Sequence, residues 1–199
     1  PVASKTWLED PGILSALTVH AFPVTEIGTS MAVLRGQVAH NGGENPFAYV
    51  CWGDNDGGTG ATSSWDSVLS MGTAGTWGVF ATNANGLVAG TPYYYRAFVT
   101  NGSAGDWSGL QTFYALQPPT VTNAPATDIL RTAAKLNGRL DSTGGEVPQV
   151  WFQYWADGGG STGVVGLGEA TPGPLFTSVT GLTLNTLYHY CLAASNSAG

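Results

Sequence analysis

Three histidines, His20, His40 and His189, and two cysteines, Cys51 and Cys191, are the side chains of this 199-residue sequence best suited to ligate a metal or attack a carbonyl. Nucleophilic catalysis needs a base beside the nucleophile and a group to orient it, and a zinc site needs paired ligands at spacings such as C-x-x-C or H-x-x-x-H. The histidines fall in three unrelated contexts, and neither cysteine has a second one nearby. His189 alternates with Tyr188 and Tyr190, which points it outward from a strand. The same alternation puts Cys51 and Cys191 at out-facing positions, as weakly reactive surface thiols or as partners in intermolecular pairing. The stretch "GDNDGGTG" (53–60) gathers Asp54, Asn55 and Asp56 but lacks the D-x-[DN]-x-[DN]-G spacing and distal Glu of a calcium loop, so a solvated turn is expected. The expectation is no catalytic residue, no metal, no cofactor and no enzyme.

What remains for chemistry is aromatic. Seven Trp and eight Tyr are many for this length, and in "WFQYW" a period of two sets Trp151, Gln153 and Trp155 on one face, opposite Phe152 and Tyr154. Trp151 and Trp155 form a possible platform for a glycan, or a contact between neighbouring units. Charged residues make up only 10% of the chain, against roughly 25% in ordinary soluble domains. Thirteen acids against six Lys and Arg, with no basic run, argue against nucleic acid as a partner. No apolar run approaches the roughly 18 residues of a membrane span, and "PVASKTWLED" has neither the charged start nor the apolar core of a signal peptide. "NGS" at 101–103 is the single N-glycosylation sequon, starting at Asn101.

The elements that must carry these residues come in two copies. "TVHAFPVTEIGTSMAVLRGQVAHNGGENP" (18–46) overlays "TVTNAPATDILRTAAKLNGRLDSTGGEVP" (120–148) without a gap at an offset of 102, and "GLVAGTPYYYRAFVTN" (86–101) overlays "GLTLNTLYHYCLAASN" (181–196) at an offset of 95. The difference is a deletion that a long loop absorbs. Inside each copy the apolar residues alternate: Tyr93, Tyr95, Ala97 and Val99 share one face, with Tyr94, Arg96 and Phe98 on the other. Clusters such as "HNGGENP" and "STGGEVP" break the chain at short intervals. Short antiparallel strands between Gly-rich turns predict an all-β fold of two tandem β-sandwiches. The boundaries predicted are an N-terminal arm over 1–17, one sandwich over 18–116 and a second over 117–199.

The Leu-x-x-x-Thr-x-Tyr-x-Tyr run in both copies resembles the element that opens strand F of fibronectin type III and related immunoglobulin-like domains, in particular the tandem repeats of bacterial surface and secreted proteins. The resemblance implies tyrosine corners at Tyr93 and Tyr188, aromatic core residues at Trp52 and Tyr154, and an extracellular or cell-surface setting. It also implies seven strands per unit. After "NGSAG" the first copy continues into "DWSGLQTFYAL", which supplies a strand G through Trp107, Leu110 and Phe113, whereas the second stops at "SNSAG".

Strand F of the second copy, with Tyr188, Tyr190, Leu192 and Ala194 facing inward, is therefore expected to keep an open edge. Residues 1–17, "PVASKTWLEDPGILSAL", stand where a preceding unit's strand G would stand, with Trp7, Leu8, Ile13 and Leu14 as its apolar residues. Head-to-tail exchange between copies of the chain, arm into open edge, is a heterologous contact that builds a filament or open array. Pro11-Gly12 would split the inserted strand into two short segments. The alternatives are a segment of a longer surface adhesin or glycan-binding protein, and an arm that serves only as a linker.

Overall fold

The computed structural model describes residues 16–102, 104–159 and 162–199. The arm residues Trp7, Leu8, Ile13 and Leu14 lie outside them. Among the described residues the chain is all-β apart from one 3-10 turn at Thr62–Ser64, and it divides into two compact units. Among the described residues the first comprises 16–27, 31–87 and 91–113, and the second 28–30, 88–90 and 114–199.

In the first unit β1 (Thr18–Ala21), β2 (Met31–His40) and β5 (Val79–Asn85) form one antiparallel sheet in the order β1-β2-β5. The facing sheet runs β4-β3-β6-β7, from β3 (Phe47–Gly53), β4 (Ser67–Thr73), β6 (Pro92–Thr100) and β7 (Gly105–Trp107), with β8 (Gln111–Tyr114) also pairing with β6. Thus β7 and β8 are two pieces of one interrupted edge strand. In the second unit β9 (Thr120–Thr127), β10 (Ala133–Ser142) and β13 (Gly173–Thr180) pair as β13-β10-β9. Opposite them stand β12 (Thr162–Glu169), β11 (Gln149–Ala156) and β14 (Tyr188–Ser195), in the order β12-β11-β14.

Alternation puts the large apolar residues between the sheets. Leu34, Val38, Val50, Tyr95 and Val99 are fully buried in the first unit, and Leu140 and Phe152 in the second. The copies fill matching space with different side chains: the cross-strand pair Ala48–Val99 becomes Val150–Ala194, exchanging which strand carries the larger residue. Volume-conserving exchanges of this kind cost little, which lets two divergent copies keep one core.

Two matching glycines leave room for large neighbours, one from its own sheet and one from the facing sheet. A Cβ on Gly36 would stand 2.5 Å from the Phe80 ring, its cross-strand neighbour, and one on the matching Gly138 would stand 2.8 Å from Leu192 Cδ2. The deletion between the copies falls mainly after β3 and β11, where positions 54–66 of the first unit correspond to the shorter stretch 157–161 of the second.

Candidate assembly edge and aromatic face

The second tyrosine of each Tyr-x-Tyr pair ties the two sheets of its unit together. The buried Tyr95 hydroxyl donates to the Phe22 carbonyl and lies 3.1 Å from the Arg35 carbonyl; Tyr190 does the same with Ala124 and, at 3.4 Å, Asn137. Burial raises the Tyr95 phenol above its ordinary range and keeps it a donor. The sequence expectation named only the first tyrosines as corners; it placed these second tyrosines on the in-facing row but gave them no hydroxyl bond. Their signal was the in-facing register they share with the core positions two residues on.

Of the first tyrosines, Tyr188 accepts the Thr183 N–H at 3.1 Å, and that bond lowers its phenol below the ordinary value. Tyr93 is buried and stacked on Phe113, with centroids 5.7 Å apart and planes at 25°. Phe113 comes from β8, so the edge strand of the first unit covers its strand F at Tyr93. The second unit differs at the matching place. Tyr188 lines a cleft of about 640 Å³ together with Tyr154, Val179, Leu182, Leu187 and Tyr190. Ile129, Leu130, Leu184 and Leu187 at its mouth are all more than half exposed.

Along β14 itself, Tyr188 and Tyr190 are half-buried, Leu192 is buried and Ala194 is half-buried. One edge of β14 pairs with β11 through every residue from Tyr188 to Ser195. Among the described residues no strand pairs with the other edge. In the first unit that edge of β6 carries β7, with Phe98 opposite Trp107 and Thr100 opposite Gly105. The turns that follow strand F correspond as well: Asn101 N–H bonds the Ala104 carbonyl at 3.0 Å, and Asn196 N–H bonds the Gly199 carbonyl at 3.0 Å. Asn196 Nδ2 also donates to the Gln117 and Thr143 carbonyls, each at 2.9 Å, and Glu146 accepts from Ser197. These bonds tie residues 196–197 to Gln117 and to the Gly-rich turn at 143–146.

The outer faces of the two sheets hold aromatic residues in different patterns. Across the first unit Tyr49, Phe98 and Trp107 stand in consecutive register, with centroids 6.1 Å and 4.5 Å apart. The matching row of the second unit is Trp151 and then Ala193, with nothing beyond among the described residues. Trp155 instead stacks on His189 at 5.9 Å and 25°, and His189 Nε2 lies 3.1 Å from Asp157 Oδ1. Trp151 and Trp155 are half-buried, Gln153 and Val164 exposed, so the face is open although its rings are partly covered.

Cys51 corrects the sequence expectation. It occupies the outer face of β3 but is completely buried, and burial pushes its thiol up to about 12. Its cross-strand partner Arg96 shares that face, and the Arg96 side chain, only 16% exposed, is fixed by Asp56 at 3.0 Å and by the Ser108 carbonyl at 3.0 Å. Period-two reasoning reads the face but cannot see a loop folding over it. Asp56 belongs to the acidic stretch expected to be a solvated turn; it is the anchor for Arg96, which holds its carboxyl below the ordinary range. The second unit has no such loop, and Cys191 is half-buried. Both thiols are free, and among the described residues no group of three His, Cys, Asp or Glu could hold a metal. Among the described residues no helix is long and apolar enough to cross a membrane.

No family model and no curated protein sequence matches the chain. Among solved structures it is similar to the sensor domain of the anti-sigma factor RsgI4 from Pseudobacteroides cellulosolvens, at 17% identity and a TM-score of 0.38, over 52% of this chain and 97% of that one. It is also similar to the FN1–FN3 domains of chicken CNTN1, at 17% identity and TM-score 0.41, over 88% of this chain and 61% of that one. A two-domain fibronectin type III segment of chicken tenascin gives 15% identity and TM-score 0.35, over 87% and 89% of the two chains.

Proposed function

We propose that the protein is an extracellular structural repeat unit that assembles head to tail, residues 1–17 of one copy adding as a strand to β14 of the next. One observation carries this reading: the edge of β14 and the cleft at Tyr188 lie where, in the first unit, β7 and β8 pair with strand F and Phe113 stacks on Tyr93. An unpaired strand edge beside an apolar cleft offers both parts of strand addition, main-chain partners and side-chain pockets.

The arm has matching features. "TWLEDPGIL" places Trp7 and the Ile13-Leu14 pair at nearly the spacing of Trp107 and Phe113. With Trp7 set on Trp107, Pro11-Gly12 falls on Gln111-Thr112 at the start of β8, just past the interruption at 108–110. Burying the four apolar residues contributes roughly 1.5–3 kcal/mol each, against an association cost on the order of 4–15 kcal/mol. The sparse charge leaves few ions to desolvate between copies, and with the resemblance to bacterial surface repeats it supports an extracellular setting.

The reading is tested by light scattering over a concentration series, comparing the full chain with one lacking residues 1–17. Concentration-dependent oligomers of the full chain alone support it. Equal masses for both sink it, and favour a module of a larger adhesin. The exposed sheet face bearing Trp151, Trp155 and His189 supports glycan binding as that second reading; quenching of tryptophan fluorescence by soluble polysaccharide, lost in Trp155→Ala, checks it.

A further inference from the structure

The open edge of β14 is not bare. Leu192 N–H, in the middle of the strand, donates to Asn123 Oδ1 of β9 at 2.7 Å. The matching amide of the first unit, Ala97 N–H, donates at 2.9 Å to Ser108 Oγ, a buried side chain in the break between β7 and β8. The two units satisfy one edge amide in two ways: the first with a group from the strand that covers it, the second with a side chain from the facing sheet. The position matching Asn123 in the first unit is Ala21, which has no acceptor to offer.

We infer that Asn123 is a latch on the edge of β14, which occupies the Leu192 amide while the edge is open and gives it up when a strand adds. This rests on the strand-addition reading of the same edge. The reason is chemical. A buried N–H without a partner costs about 1–3 kcal/mol, so an empty edge at Leu192 would be driven to pair with any strand that met it, its own kind or another. Asn123 removes that drive. Its residue is exposed, so it swings to water at small cost when an incoming group takes over the role of Ser108. The latch thus opposes addition by the net value of one hydrogen bond and suppresses unspecific edge pairing.

The test is the full chain carrying Asn123→Ala, with Asn123→Val as a second variant that keeps a strand-forming residue at this mid-strand position. Light scattering gives the concentration at which half the chains have assembled. The latch predicts that both variants lower it about three- to tenfold, and that Leu192 N–H exchanges faster in the dilute monomer. A midpoint unchanged or raised, in chains that are folded and where the wild type assembles, overturns the latch and leaves strand addition standing. Absence of assembly in the wild type and both variants overturns strand addition, and the latch with it.

Discussion

Single hydroxyl groups hold these sandwiches together across their layers. Tyr95 and Tyr190 each reach from strand F to two carbonyls of the facing sheet. Replacing Tyr95 with Phe removes the hydroxyl donor of the Phe22 carbonyl, while the Arg35 carbonyl keeps the Phe22 N–H; the expected cost is about 1–3 kcal/mol, read as a lower Tm and denaturation midpoint with an unchanged m-value. Cys51 gives a second prediction at this scale. A thiol at about 12 in the folded chain but at its ordinary 9.0 when unfolded stabilises the fold fully below pH 9. As pH rises from 9 towards 12 the unfolded state loses its proton first, so that contribution is lost. Tyr95, raised above 10.0, acts in the same direction. Denaturant titrations at pH 8 and 11 should show the chain weaker at the higher pH, with less of that loss in Cys51→Ala. Below pH 9 a thiol reagent should label Cys191 and spare Cys51 until the chain unfolds.

At the scale of strands, the repeat made most of the fold legible. The gapless overlay gives strand positions, and alternation gives the inward rows Tyr93–Val99 and Tyr188–Ala194. The glycines of "LRG" and "LNG" could be aligned, but their reason could not be read, because it lies in Phe80 and Leu192, which reach them from other strands. Gly36→Ala and Gly138→Ala should each cost about 1–3 kcal/mol through overpacking, and Gly166→Ala, where a Cβ meets nothing within 4 Å, much less; thermal melts of the three rank them. The cover over Cys51 was illegible for a similar reason. It involves Arg96, held by Asp56 of the loop that follows β3, and no local period encodes a loop's path. The Asn123 bond to Leu192 was hidden too, since a polar residue in a strand otherwise reads as solvent-facing.

At the scale of the whole molecule, the two copies of one unit differ, among the described residues, in what lies on the outer edge of strand F. The first has β7 and β8 on that edge and Phe113 over Tyr93; the second has a cleft at Tyr188 and a side-chain bond at Leu192. Under the proposed strand addition, residues 1–17 donate and the edge of β14 accepts, a heterologous contact that would build a chain of subunits rather than a closed pair. The most direct measurement is to titrate a synthetic peptide of residues 1–17 into the chain lacking those residues and map the backbone amide shifts by NMR. Strand addition predicts shifts and slowed hydrogen exchange along Tyr188–Ser195 and at the cleft residues Leu182 and Leu187, with β6 unchanged. Peptide that leaves β14 undisturbed, or that perturbs only the face of Trp151 and Trp155, would contradict it.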